Sequence, residues 1–514
     1  MKSKGTVYLV GAGPGDAGLL TLRGAELLRR ADVVIYDMLV NPELLRIAPA
    51  TAELISRGSQ GKSEALSQEQ LNELIVTKAR EGKCVVRLKG GDPYIFGRGG
   101  EEAEDLATAK IPFEVVPGVS SIVAAPTYAG IPLTHRDHCS TFTVLTGHEH
   151  PDKPDSNLNF DEIARIPGTK VILMGLKRLR ELTTTLLAKG VPPETPVAMV
   201  RWGTTSRQQS LVGTLATIAD LATAGKITAP VITVIGSVVN LRGKLNWFEH
   251  RPLFGRRIVV TRSREQASQL AQQLGELGAE ILEIPTIKIA PPEARDSFVD
   301  ALLELNSYSW LVFTSPNGVT AFFDLFFRQF KDLRDIGGVR IAAIGPATAA
   351  KLTELHLQVD VTPDEALASE IAGAIHKFED VENLKICLLR AEVATPDLPK
   401  ALEELGAIVD DIAVYKTVPE TEDRTGAVAK LLEDGADWIT FTSASTAEHF
   451  HARFDLPQLL RKFPQTQVAS IGPETSKAIR ALGVEPTVEA KKHTIEGLVE
   501  TLLAFAKKHP PTPR

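Results

Sequence analysis

The stretch Arg87-Leu-Lys-Gly-Gly-Asp-Pro-Tyr-Ile-Phe-Gly-Arg-Gly-Gly100 sets five glycines, a proline and an aspartate among three cations. Glycine lets the backbone turn sharply and approach a ligand closely, since no Cβ intervenes. The stretch starts where the apolar run Cys84 to Leu88 ends, and a loop at the carboxyl end of a strand is where open α/β sheets bind small molecules. A solvated turn is the plainer alternative, but five glycines exceed what a turn requires. Asp37 closes a second apolar run, Val33 to Tyr36. There it can cap a helix, face solvent, or act as a general base beside the ligand loop. His135, His138, His148 and His150 gather around Asp137 and Cys139. Their spacing matches no closed tetrahedral set, so they read as loop histidines and no metal is expected.

The elements that must carry these residues alternate between strand and helix. Thr6 to Val10 reads as a strand, Gly11-Ala-Gly-Pro-Gly-Asp16 as a loop, Leu19 to Arg30 as a helix and Val33 to Asp37 as a strand. That is the order of a dinucleotide site, but Asp16 stands where the third glycine belongs and Pro14 removes a phosphate-binding N–H. A nucleoside without phosphates fits such a loop better. Helices follow at 68–82 and 101–109, then a strand at 112–117 and a small-residue helix from Val119 to Gly130. A boundary near Gly118 leads to a second α/β unit with strands at 141–146, 171–174, 197–200 and 230–235.

The 514 residues bound roughly three to five domains at ~150 residues each. With 43% hydrophobic and 24% charged residues, the chain has the composition of a globular protein. A net charge of −7 gives no overall basic field for nucleic acid. The three cysteines are far apart, without a CxxC, and fit a cytoplasmic protein. The start carries no signal-peptide pattern. Apolar runs such as Ala229 to Val239 are too short to span a bilayer, so no membrane partner is expected.

Residues 241–257 are basic and aromatic, without periodicity, and read as a linker in which Trp247, Phe248 and Phe254 pin the chain to a domain face. Beyond it the sequence repeats. Val260-Thr-Arg262 recurs as Leu388-Leu-Arg390, Leu277-Gly-Ala279 as Leu405-Gly-Ala407, and Trp310-Leu-Val-Phe-Thr-Ser315 as Trp438-Ile-Thr-Phe-Thr-Ser443, each 128 residues on. Ile344-Gly-Pro-Ala-Thr348 recurs as Ile471-Gly-Pro-Glu-Thr475 at 127. Two copies suit a two-lobed cleft. In each copy hydroxyls stand where a helix should begin (Thr314-Ser315, Thr442-Ser443), and Gly-Pro opens another (Gly345-Pro346, Gly472-Pro473). Such termini either cap ordinarily or bind carboxylates. The residues alone point to a polyanion binder, with Thr314, Ser315, Thr442, Ser443, Gly472 and Thr475 as its contacts.

Val7-Tyr-Leu-Val-Gly-Ala-Gly-Pro-Gly-Asp16, the run from Val86 to Glu102, Val115-Val-Pro-Gly-Val119 and Ala129-Gly-Ile-Pro-Leu-Thr-His-Arg136 together resemble uroporphyrinogen-III C-methyltransferase over residues 5–243. The resemblance implies S-adenosyl-L-methionine bound between two α/β lobes (1–117 and 118–243), in a homodimer formed through this half. It places Pro14, Gly90, Gly91, Asp92, Ile95, Ser120, Ser121, Met174 and Gly203 around the cofactor, with Ser120-Ser121 where the family usually has Thr-Ala. Asp37 matches the family's proposed proton acceptor. At Arg57-Gly-Ser59 the family usually reads Gly-Lys, the Lys being the proposed proton donor. Here either Lys62 substitutes or the donor is dispensable. The many-carboxylate substrate makes Arg57, Lys62, Arg87, Lys89, Arg98 and Arg136 candidate anchors.

Trp310 to Val319, Ala342-Ala-Ile-Gly-Pro346, Val414-Tyr-Lys-Thr417 and Phe441-Thr-Ser-Ala-Ser445 resemble uroporphyrinogen-III synthase over residues 255–505. A linker at 244–254 and a tail at 506–514 flank that half. The family implies discontinuous lobes, 255–289 with 418–505 and 290–417 between. It makes Tyr415 the catalytic candidate, donating to the departing hydroxyl of hydroxymethylbilane. The expected protein is a bifunctional α/β enzyme of siroheme or cobalamin synthesis. Two rivals remain: a methyltransferase acting on a later corrin precursor, and a second half that only binds tetrapyrroles.

Overall fold

The computed structural model describes residues 5–58, 65–147, 158–261, 264–363, 368–423 and 425–509. Ser59, Lys62, His148, His150 and Arg262 lie outside them. Among the described residues, four five-stranded sheets organise the chain.

The first sheet joins β1 (Val7–Gly11), β2 (Val33–Tyr36), β3 (Glu53–Ser56), β4 (Val85–Lys89) and β5 (Phe113–Val116) in the order β3-β2-β4-β1-β5. Every pairing is parallel. Helices cover both faces of such a sheet, which is why β1, β2 and β4 are almost continuously buried. Parallel strands also bring the loops after β1, β2, β4 and β5 to one edge.

The second sheet has β6 (Phe142–Thr146), β7 (Thr169–Leu173), β8 (Pro196–Arg201), β9 (Gln209–Thr214) and β10 (Val231–Ile235), ordered β6-β7-β10-β8-β9. Only β6 and β7 run parallel. The helix Ser121–Tyr128, capped by Ser120, buries Ile122 and Ala125 against Val171, Val200 and Val234. It follows β5 in the chain but belongs to the second core.

The segment between the halves is packed on both sides. Tyr128 lies 5.0 Å from Trp247 and 4.7 Å from Phe248, and Phe248 lies 5.4 Å from Phe254, centroid to centroid. Leu253 is buried with Ile258 and Leu274 of the second half.

That half contains β11 (Arg257–Val260), β12 (Glu280–Glu283), β13 (Ile287–Ala290), β14 (Trp310–Phe313), β15 (Arg340–Ala343), β16 (Lys385–Ala391), β17 (Ile408–Pro419), β18 (Trp438–Phe441), β19 (Gln467–Ser470) and β20 (Val488–Glu489). The sheets are β12-β11-β18-β19-β20 and β13-β17-β16-β14-β15. The repeated motifs occupy matching places: β11 corresponds to β16, β12 to β17, β18 to β14 and β19 to β15. β13 straddles the lobe boundary expected at 289/290, because it pairs antiparallel with β17. The chain crosses between sheets twice. The crossings touch where the Glu420 N–H donates to the Thr286 carbonyl at 3.0 Å. The Arg453 guanidinium donates to the carbonyls of Glu420 and Thr421 at 2.8 and 2.7 Å. Among the described residues no helix is long and apolar enough to cross a membrane.

Candidate functional site

Three backbone segments meet at the carboxyl edge of the first sheet. Gly91 and Gly13 exchange hydrogen bonds of 2.7 and 3.2 Å, closing the loop after β4 onto the first glycine loop. A Cβ on Gly118 would stand 2.2 Å from the Gly91 carbonyl oxygen and 2.7 Å from the Gly11 Cα. Only glycine permits that approach. Asp92 staples the junction: one oxygen accepts the Gly118 N–H at 3.0 Å, the other the Tyr94 N–H at 2.8 Å.

The second lobe closes the other side. A Cβ on Gly91 would come within 3.8 Å of Ser120 Cα and Ser121 N, and one on Gly203 within 2.5 Å of Ala125 Cβ on the same helix. A Cβ on Gly15, beside Pro14, would lie 2.7 Å from the Thr205 methyl. These contacts bring the segments that carry Pro14, Gly91, Asp92, Ser120, Ser121 and Gly203 together where the two lobes meet. Gly90 borders Leu39, while Ile95 and Met174 stand exposed on the loops after β4 and β7. Phe96, Arg98, Met174, Trp202 and Thr204 all have φ between 49° and 71°. For residues with a Cβ that conformation is strained, and it concentrates at ligand sites.

Asp37 ends β2 with its carboxylate half-exposed, 2.5 Å from Arg87 Nη2 and 3.9 Å from Arg57 Nη1. Arg57 also donates to Gln68 at 3.2 Å. The structure corrects two of the expected anchors. Arg87 and Lys89 are buried, and both donate to Glu102, at 3.3 and 2.8 Å. Burial and then the Arg87 charge push the Lys89 ammonium below its usual range. These cations neutralise a buried carboxylate and are not free to meet a substrate. Arg98 and Arg136 are exposed, and Arg98 pairs with Glu101 at 2.5 Å.

In the second half Tyr415 is buried near the end of β17, and its hydroxyl lies 3.0 Å from Ser315 Oγ. Ser315 caps the helix Pro316–Gln329 by accepting the Gly318 N–H at 3.1 Å. Ser443 does the same for Ala444–Phe454, accepting from Thr446 at 3.3 Å. Their backbones match, with φ of −158° and −162°. Thr314 donates to the Leu389 carbonyl at 3.5 Å, while Thr442 is half-buried. Gly472 sits against the His493 ring, one turn before the buried Thr475. The hydrogen bonds of Ser443 and Gly472 stay within their own lobe.

The family model for tetrapyrrole (corrin/porphyrin) methylases matches residues 6–219, and that for uroporphyrinogen-III synthase HemD matches 268–500. A porphyrin biosynthesis protein HemD from Ruminiclostridium josui is 39% identical over 500 residues, covering 97% of this chain and 98% of that protein. The chain belongs to the HemD family. Its first half is a tetrapyrrole methylase domain and its second a HemD synthase domain. An S-adenosyl-L-methionine-dependent uroporphyrinogen III methyltransferase from Methanosarcina barkeri is 52% identical over 237 residues, covering 46% of this chain and 93% of that one. A solved uroporphyrin-III-C-methyltransferase from Thermus thermophilus is 40% identical, covering 47% of this chain and 99% of that one, with a TM-score of 0.40.

Sequence reasoning missed a polar hub in this HemD chain. Glu249, between the halves, accepts from Gln208 Nε2 at 2.8 Å, Ser210 Oγ at 2.7 Å and Arg242 Nη2 at 2.5 Å. No local motif announces it, since Gln208 and Ser210 stand about 40 positions earlier.

Proposed function

We propose that this chain performs two consecutive steps: its second half closes hydroxymethylbilane to uroporphyrinogen III, and its first half methylates that product twice to precorrin-2. One observation carries the reading: the chain aligns over nearly its whole length with a single HemD protein, methylase domain first and synthase domain second. S-adenosyl-L-methionine is the methyl donor, with Pro14, Gly90, Gly91, Asp92, Ile95, Ser120, Ser121, Met174 and Gly203 around it. The name of the Methanosarcina relative and the convergence of Gly11, Gly91 and Gly118 support this.

The sulfonium methyl is already activated, so the main task is alignment with a nucleophilic pyrrole carbon. Asp37, with Arg87 and Arg57 beside its carboxylate, accepts the macrocycle proton. Exposed Met38, Leu39, Tyr94 and Phe96 offer an apolar bed for the macrocycle, and Arg57, Arg98 and Arg136 meet its carboxylates. Lys62 belongs to this set by resemblance alone. In the synthase half Tyr415 donates to the departing hydroxyl. Thr314, Ser315, Thr442, Ser443, Gly472 and Thr475 hold substrate carboxylates at helix starts. We further assign the chain to the cytoplasm, as a homodimer through the methylase half, serving siroheme or cobalamin synthesis.

Incubating the full chain with hydroxymethylbilane and S-adenosylmethionine tests the reading. Formation of the III isomer, followed by dipyrrocorphin absorbance, is expected. Only the I isomer, or III without methylation, refutes one half of it.

A further inference from the structure

Gln208 is buried, and its side-chain amide makes three hydrogen bonds. Its Oε1 accepts the Thr204 N–H at 2.9 Å, and its Nε2 donates to the Tyr128 carbonyl at 3.2 Å and to Glu249 at 2.8 Å. Thr204 is β-branched with φ +71° and follows Gly203, while Trp202 before it has φ +49°. A β-branched residue holds that conformation only where its surroundings enforce it. Here the enforcing group is the Gln208 amide.

The contacts continue into the first lobe. Thr204 Oγ1 accepts the Asp16 N–H at 3.0 Å, and Asp16 accepts the Tyr128 hydroxyl at 2.7 Å. An unbroken line therefore runs Glu249–Gln208–Thr204–Asp16, into the glycine loop that carries Pro14. At its far end Glu249 also receives Asn246 Nδ2 at 3.3 Å, besides Ser210 and Arg242. Burial raises the Glu249 carboxyl, but the hydrogen bonds from Gln208, Ser210 and Arg242 outweigh it and hold the group ionised. A second tie lies alongside. The Arg207 guanidinium covers the Trp202 ring at 4.3 Å and lies 3.6 Å from Glu280 of β12, a strand of the synthase half.

We propose that Gln208 and Glu249 are positioning residues for S-adenosylmethionine. They fix the Trp202–Thr204 turn against the first glycine loop. Because Arg207 beside this turn covers Trp202 and meets Glu280 of β12, contact with the synthase half bears on the same turn. The inference rests on the reading that the methyl donor binds where these two lobes meet. A carboxylate that only fastened the junction would alter melting temperature and leave the cofactor KM alone.

The test uses full-length Glu249→Gln, Glu249→Asp and Gln208→Met, with titration calorimetry of S-adenosylhomocysteine and steady-state methylation. For Glu249→Gln and Gln208→Met, we expect affinity to fall about tenfold, the effect of losing one charge-assisted hydrogen bond. The KM for S-adenosylmethionine rises in step, kcat and the tetrapyrrole KM stay within about twofold, and Glu249→Asp recovers part of the loss. Unchanged S-adenosylhomocysteine affinity in either folded substitution overturns the proposal. If Glu249→Gln fails to fold, Gln208→Met alone decides. An unaltered chain that binds no S-adenosylhomocysteine overturns the cofactor reading itself, a result distinct from binding that ignores the substitutions.

Discussion

The Tyr415 hydroxyl stands 3.0 Å from the Oγ of Ser315, and that same Oγ accepts the Gly318 N–H. With one lone pair engaged by the helix, the serine O–H can donate a hydrogen bond to the phenol oxygen, leaving the Tyr415 O–H to point at a leaving group. Tyr415→Phe should therefore slow closure of hydroxymethylbilane by about 10²-fold and leave methylation intact. Both rates can be followed on one preparation, and an equal fall in both contradicts the assignment.

Ser315 and Ser443 occupy equivalent places in the two copies of the repeat and cap their helices alike. Replacing either with Ala should cost about 1 kcal/mol, the usual loss of a cap. Ser315→Ala should also lower kcat for ring closure, since Ser315 touches Tyr415, whereas Ser443→Ala should act on that reaction only through the substrate KM. Denaturant melts beside the kinetics separate the two effects.

Gly118→Ala should abolish S-adenosylhomocysteine binding, because its Cβ meets the Gly91 carbonyl at 2.2 Å. Gly100→Ala is the control: nothing lies within 4 Å of its Cβ, and Ala in a helix is favoured by up to about 1 kcal/mol. Calorimetric titration of both variants checks this.

Lys89 and Arg136 should fail differently. Lys89→Met strips a partner from buried Glu102, costing about 3 kcal/mol of stability. Arg136→Ala, at an exposed position, should raise the tetrapyrrole KM and leave the melting temperature within about 1 °C. A Lys89→Met protein of unaltered stability would return that lysine to the set of substrate anchors.

Acid should erase the contribution of Glu249. Its folded pKa lies below the ordinary 4.5, so the stabilisation is complete above the unfolded value and disappears as pH falls through the folded one. The melting-temperature gap between the parent chain and Glu249→Gln should be widest near about pH 6–7 and shrink below about pH 4. A gap independent of pH would mean that the ionised form contributes nothing.

Much of this is legible in the sequence. The glycines of 90–100 mark a close backbone approach, and the 128-residue spacing marks twin sheets. What escaped was held by distant partners. Arg87 and Lys89 looked like free cations, yet they sit inside an otherwise apolar strand. Their counter-ion, Glu102, comes from the helix after the loop, and no strand periodicity displays it. The short edge strands β3 and β9 each hold just two adjacent aliphatic residues, Leu54-Ile55 and Leu211-Val212, so neither shows a long apolar run. Residues 241–257 lacked periodicity because they fold around aromatic contacts and Glu249 rather than as one long element.

The contact between Thr286 and Glu420 has a practical corollary. Strands β13 to β17 leave and re-enter the neighbouring sheet through one doorway, like a module spliced into a host. Ligating Thr286 directly to Glu420 would excise that module while preserving every strand pairing of β12-β11-β18-β19-β20. The same doorway is where a circular permutant could be opened and each lobe studied alone.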